Sequence, residues 1–599
     1  MRAILVALVL SAVAWSGCSP NKEKIPAVPE MTFPKQKIVI YQMMTRLFGN
    51  TTSVNKLNGT IEENGVGKFN DISNRALEGI KELGITHVWY TGVIEHATVT
   101  DYSAYGIALD DPDVVKGRAG SPYAIKDYYD VDPDLAVNVK DRMAEFEQLV
   151  DRSHKSGLKV IIDFIPNHVA RTYHSDAKPE KIVDLGQQDD QTKAFKSNNN
   201  FYYLPGLSFR PPPEHYGQFK AFFPSMDGKF NEIPAKATGD NQFTATPSSG
   251  SWFETIKLNY GIDFANGEKT YFDSIPDTWI KMRDILVYWA GKKVDGFRCD
   301  MAQMVPVEFW HWVIPQVKAI NHDILFIAEI YEPHRYRDYI DRGRFDFLYD
   351  KVQLYDTLRL LIGGKAHAQD VLAIQQSLSG INENMVHFLE NHDEHRIASP
   401  FFTGDPTRAL SAFVISATID QGPIMIYFGQ EVGEPASQAA GFGANDGTTT
   451  RFDYWGVPEH QKWMNNGSFD GGGLSDSQKQ LREKYLQILN LTKDSKAIGM
   501  GTYHDLTVFN ISQSNCSDRV VSFVRAIDDE HLIVVAGFNR KPEMVRIKLT
   551  QELAAAWGIT GDKKYEVEDM LGSAPQQLLG VEGLSFELPA YGASIFRLK

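Results

Sequence analysis

Four stretches of the chain end an apolar run on side chains able to do acid–base or nucleophilic chemistry: VIIDFIPNH (160–168), DGFRCD (295–300), ILFIAE (324–329) and VHFLENHD (386–393). In the second, Arg298 and Asp300 are two residues apart and share one strand face. An arginine beside a carboxylate holds it ionised and oriented, as a nucleophile requires. In the third, Glu329 closes an unbroken apolar run, where desolvation should raise the carboxyl pKa, as a general acid requires. Each motif alone has a plainer account. A single acid at a strand end often caps the next helix or joins an ion pair, and Asn167-His168 could simply make a turn. His387, His392 and His395 lack supporting cysteines or spaced carboxylates, so no metal cluster is expected there. The joint occurrence of four such ends, in order along one chain, points to a shared site.

Such residues must be positioned by elements whose ends converge. From Lys37 onward, short apolar strands alternate with amphipathic helical stretches near 76–83, 143–154 and 278–290. Strands are predicted at 38–41, 86–90, 159–164, 296–300, 324–329, 345–349, 385–389 and 424–428. Eight parallel strands with intervening helices make an α/β (β/α)8 TIM barrel, whose active sites lie at the C-terminal ends of the strands. The barrel is expected to comprise 37–169 and 277–498. Between them, residues 170–276 lose the alternation and are rich in Asn, Pro, Gly and aromatics, too long a stretch for a loop, so a small inserted domain is expected after strand 3. Beyond 498 the period becomes two, which predicts a C-terminal antiparallel β-sandwich domain over 499–599.

Composition narrows the function classes. With 43% hydrophobic and 23% charged residues the chain is neither mainly disordered nor fibrous. A net charge of −15 argues against general nucleic-acid binding and suits a neutral ligand such as a sugar. At the N-terminus, an apolar run over 4–15 follows Arg2 and reads as a secretory signal peptide, 1–17, too short to span a bilayer. Cys18 directly after Ser16-Gly17 resembles a bacterial lipoprotein cleavage site, making Cys18 the lipidated first residue and 18–36 a tether. A membrane-anchored lipoprotein, or a periplasmic or extracellular protein, is the expected location. Cys299 and Cys516 fall in different predicted domains and are expected to stay unpaired.

In order and spacing, DFIPNH, GFRCD, FIAEI and FLENHD resemble the signature regions of the alpha-amylase family of glycoside hydrolases, family thirteen. The resemblance covers about 37–599. It implies Asp300 as nucleophile, Glu329 as acid/base and Asp393 as stabiliser of an oxocarbenium-like transition state. It implies that Arg298, His168 and His392 contact Asp300 or the sugar, and that Tyr123, in GSPYAIKDYY (120–129), is the aromatic platform beneath that sugar. Two carboxyls about 5–5.5 Å apart would make the enzyme retaining.

The match departs in places. Gln303 and Met304 stand where many amylases carry Lys-His on the leaving-group side, and Ala124 replaces an Asp usual after the platform Tyr. Lys257 stands where an Asp common in the family joins the residue matching Asn167 in a structural calcium site. An ammonium cannot ligate calcium, so no cofactor is expected to be required and calcium is disfavoured at that interface. The 64–70 loop resembles another calcium-binding region but with an incomplete ligand set. The resemblance implies an exported retaining hydrolase acting on the α-1,4 bonds of starch, maltodextrins or related α-glucans. The alternatives are a transglycosylase or disaccharide-converting enzyme of the same family, or a non-catalytic glycan-binding lipoprotein.

Overall fold

Apolar runs that bury both faces leave a strand no solvated side, and such strands fold as a ring enclosed by helices. In the computed structural model, which describes residues 36–443, 445–572 and 577–599, these runs form β1 (Val39–Met44), β2 (His87–Thr91), β3 (Lys159–Phe164), β4 (Gly296–Cys299), β5 (Leu325–Ala328), β6 (Phe347–Tyr349), β7 (Met385–Val386) and β8 (Ile424–Tyr427). Each pairs in parallel with its sequence neighbour, and β1 also pairs with β8. A bridge between His387 and Ile424 closes the ring. The expected leader, Cys18 and all but the last residue of the tether lie outside the described residues.

The period of two sorts the strand residues into two populations. Ile40, Trp89, Ile161, Ile327, Phe347, Val386, Phe388 and Met425 fill the barrel interior. Their alternates, among them Tyr41, Val88, Tyr90, Val160, Ile162 and Phe297, pack outward in the main core with the surrounding helices. Those helices include α1 (Asn74–Glu82), α2 (Arg142–Lys155), α3 (Asp277–Gly291) and α4 (Val307–Lys318). Helix α1 starts two residues before its first apolar position because the Ser73 side chain caps it, accepting from the Ala76 N–H.

Three excursions rise from the C-terminal rim. The anticipated one leaves after β3 and returns at a neck where His168–Ala170 pairs antiparallel with Thr255–Lys257. Two more were not foreseen. One is a hairpin of Ile94–His96 with Ile125–Val131 after β2; the other is a long irregular stretch after β8, described over 433–443 and 445–457.

After the barrel, β9 (Thr502–Asp505), β10 (Val520–Ile527), β11 (Glu530–Gly537), β12 (Glu543–Ile547), β13 (Tyr565–Asp569), β14 (Gln577–Leu579), β15 (Leu584–Leu588) and β16 (Ala593–Leu598) form an antiparallel module. Six make one sheet in the order β9-β10-β11-β16-β13-β14, while β12 pairs with β15. One face of the larger sheet, including Val520, Val524, Ile533 and Val535, packs with Val545, Ile547, Phe586 and Leu588 of the smaller pair. The other, including Val521, Phe523, Val534 and Ile595, belongs to the barrel's own core. Arg525 pins this seam: buried, it donates to the carbonyls of Ile419, Ala497 and Ile498. Cys299 sits in the barrel wall and Cys516 in the C-terminal core, both as free thiols.

Candidate active site

The register of β3 and β4 sets Arg298 beside Asp163, so both side chains enter the barrel together. The guanidinium is fully buried and gathers acids from three strands. Its Nη1 lies 2.9 Å from Asp300 Oδ1 and 3.3 Å from Asp163 Oδ1, its Nη2 lies 2.8 Å from Glu329 Oε2, and Nε donates to the Tyr349 hydroxyl at 3.2 Å. Asp300 and Glu329 are therefore held on the two ends of one planar cation. The ladder continues past the strands to fix both backbones: Asp300 N–H donates to the Phe164 carbonyl and Glu329 N–H to that of Cys299.

Immediately after Asp300 the chain turns left-handed at Met301, φ 41°, a conformation that costs a side-chain-bearing residue about 1–2 kcal/mol. The turn aims the Met301 N–H at Glu329 Oε2, 2.7 Å away. The Tyr331 hydroxyl donates to Oε1, also at 2.7 Å. Burial and the adjacent Glu329 push the Asp300 carboxyl well above the usual carboxylate range, against the pull of Arg298. Asp163, buried beside them, is raised to about 7, with Arg298 and the Trp89 N–H opposing.

Asp393 stands opposite. Burial alone would raise its pKa, but His392, Arg451 and Arg298 more than offset this and leave it lowered. Arg451 Nη1 is 2.9 Å from Oδ1 and His392 Nε2 is 3.1 Å from Oδ2. Burial lowers His392 to about 3, so the ring is neutral. Gln42 Nε2 lies 2.8 Å from His392 Nδ1, which must accept, leaving the Nε2–H for Asp393 and the Tyr123 hydroxyl. The Tyr123 ring stacks on His392 with centroids 5.2 Å apart. His168 is likewise neutral, lowered to about 3 by burial and then by Lys257, and accepts at Nδ1 from Asn167. Its ring lies against Trp252.

A cleft of about 490 Å³ joins these groups, lined by Tyr123, His168, Trp252, Asp300, Glu329, Tyr331, Asp393 and Arg451, among others. Every site residue expected from sequence within the described residues thus lies at one mouth, with Arg298 buried beneath. Asp163, Tyr331 and Arg451 were not singled out. Asp163 was visible inside DFIPNH, and Tyr331 follows Glu329 by the strand period; Arg451 comes from an irregular loop that carries no local signal.

At the neck of the long excursion, buried Lys257 donates to Asn167 Oδ1 and to the Met304 carbonyl at 3.3 Å. Burial lowers its pKa to about 7. A donor set with an ammonium in place of a carboxylate does not suit calcium. In the 64–70 loop, the Asn64 amide is satisfied by Lys56 and Tyr454. Gln303 Oε1 accepts from the Tyr331 N–H, which turns its acceptor inward. The three histidines near β7 diverge: His387 faces the outer wall against Asp350 and Asp420, His392 the mouth and His395 Arg359.

A family model described as "Alpha amylase, catalytic domain" matches residues 42–463. The chain is 21% identical over 537 residues to Alpha-amylase 3 of Dictyoglomus thermophilum, covering 84% of this chain and 85% of that one. It is 20% identical over 571 residues to Neopullulanase 2 of Thermoactinomyces vulgaris, covering 92% and 77%. The crystal structure of the alpha-amylase from Geobacillus thermoleovorans complexed with acarbose aligns with a TM-score of 0.59 at 18% identity, over 95% of this chain and 99% of that chain, a likeness of fold.

Proposed function

Because the chain belongs to the alpha-amylase family of glycoside hydrolases, we propose that it cleaves the α-1,4-glucosidic bonds of starch, maltodextrins or related α-glucans with retention. The observation that carries the reading is the single buried guanidinium holding Asp300 and Glu329 beneath a cleft walled by Tyr123 and His168. A sugar seated on Tyr123 presents its anomeric carbon to Asp300. The Asp300 carboxylate forms a bond to that carbon as the bond to the leaving glycosidic oxygen breaks, and that oxygen takes its proton from Glu329. Glu329, now the base, takes a proton from water while the water oxygen bonds to the anomeric carbon and Asp300 departs. Two displacements restore the α configuration. Asp393, held ionised by Arg451 and by the N–H of neutral His392, faces the sugar and steadies positive charge as it develops. Neutral His168 offers its N–H to a sugar hydroxyl.

Export as a lipoprotein modified at Cys18 rests on the leader pattern of 1–17; mass spectrometry of the mature N-terminus tests it, and an unprocessed Met1 would exclude it. The activity is tested by time-resolved product analysis on maltoheptaose, with proton NMR of the first hemiacetal released. The hydrolase reading expects shorter oligosaccharides only, in the α form. Products longer than the substrate would establish transglycosylation, and an initial β anomer would defeat the retaining mechanism. Loss of turnover in Glu329→Gln would exclude a non-catalytic glycan-binding protein.

A further inference from the structure

The hairpin after β2 buries an acid that the barrel chemistry does not use. Glu95, on Ile94–His96, is 1% exposed, and neither of its carboxylate oxygens has a hydrogen-bond partner. Two further acids lie beside it. Asp130, on the paired strand, is 3% exposed, and Asp176, from the long excursion, is at the surface. One carboxylate oxygen from each of Glu95, Asp130 and Asp176 lies within 4.8 Å of the other two. Asp127 is close by but satisfied, accepting from Ser175 Oγ and from the N–H groups of Tyr129 and Ala177.

One nearby cation is committed elsewhere and the other holds Asp130 itself. Lys126 pairs with Asp110 at 3.0 Å, and Arg142 Nε donates to Asp130 Oδ2 at 2.8 Å. Neither reaches Glu95. A buried carboxylate with no donor is costly, and here the two carboxylates beside it add repulsion. Burial, then Asp127 and Asp130, push Glu95 up to about 9.

We propose that Glu95, Asp130 and Asp176 form a binding site for a hard divalent cation of the calcium type, which ties the hairpin after β2 to the excursion after β3. The donors are all carboxylate oxygens, which select against soft metals. The oxygen separations fit donors 2.3–2.6 Å from a shared ion, and the exposed Asp176 side leaves room for water to complete six to eight ligands, as calcium prefers. The site is separate from the neck, where Lys257 takes the cation's place against Asn167. Because Ile125–Val131 begins two residues after Tyr123, the ion would also brace the strand that follows the platform ring.

Equilibrium dialysis against calcium chloride, with thermal melting in calcium and in chelator, tests the site on the intact protein. The parent protein is expected to bind one more calcium per chain than Asp176→Asn or Glu95→Gln, and to gain several degrees of melting temperature that both variants lack. Asp176 is exposed, so its substitution leaves the fold secure should Glu95→Gln fold poorly. Equal calcium stoichiometry in the parent and Asp176→Asn, or an equal calcium-dependent shift in both, overturns the proposal. A shift given equally by magnesium chloride overturns the assignment to calcium.

Discussion

The barrel mouth and the hairpin after β2 each bury several carboxylates, but they are balanced in different ways. At the mouth, Asp163, Asp300 and Glu329 share Arg298, and Glu329 has further donors at both oxygens. At the hairpin, Glu95 has none, and the neighbouring lysine and arginine are turned to other acids. Burying a charge is tolerable only when something of opposite sign comes with it. The mouth carries its cation in the sequence, so its geometry is preorganised for substrate. The hairpin leaves that cation to solution, which makes the brace on the excursion conditional.

That contrast can be broken at several points. Asp300→Asn removes the attacking oxygen and should lower turnover by several orders of magnitude while oligosaccharide binding, read by calorimetry, survives; near-normal turnover would refute the nucleophile assignment. Arg298→Met strips the mouth of its cation and should destabilise the protein by about 3–5 kcal/mol in denaturant unfolding, because three buried acids are left facing one another. A loss below about 1 kcal/mol would show that the mouth does not depend on its built-in charge.

A third buried cluster tests the same rule by pH. His387 lies between Asp350 and Asp420, at 3.2 and 2.9 Å. Burial opposes its charge, yet Asp420 and Asp350 hold the proton up to about 9. The folded pKa is raised above the ordinary 6.5, so the stabilisation is complete below about pH 6.5 and is lost as pH rises through 9. It amounts to about 3 kcal/mol, by linkage. Unfolding of the parent and His387→Gln should therefore differ most at low pH and converge above 9; a constant difference would remove the charge from the account.

Smaller still is the effect of Glu95→Gln in chelator, which should not lower the melting temperature, since no donor in the protein answers that carboxyl. A loss comparable to that of Arg298→Met would mean that an internal partner answers Glu95 after all. The smallest expected effect is none. In Asp176→Asn, chelator should leave the melting temperature unchanged, because Lys257 fills the place at the neck that the resemblance gives to calcium. A marked drop in that variant would restore calcium there.

Eight apolar runs with helical stretches between them were legible because periodicity is local: a strand buried on both faces must read as continuous hydrophobics. The polar residues ending those runs were legible for the same reason, since the strand order carries them to one rim. The described stretches 433–443 and 445–457 and the hairpin after β2 were not, because irregular backbone held by scattered side-chain hydrogen bonds leaves no period to read. Arg451 is the clearest loss, a guanidinium 58 residues from Asp393 in sequence that meets it at 2.9 Å.

By itself, then, the sequence determined the barrel, the order of its strands and the identity of the acids at its mouth, through alternation that depends on near neighbours alone. Only the tertiary structure decided which charge answers which. Arg298 reaches three acids, Lys257 reaches Asn167 and Glu95 reaches no donor. Electrostatics in a buried site depends on distances of a few ångströms between residues far apart in the chain, and those distances exist only once the chain has closed on itself.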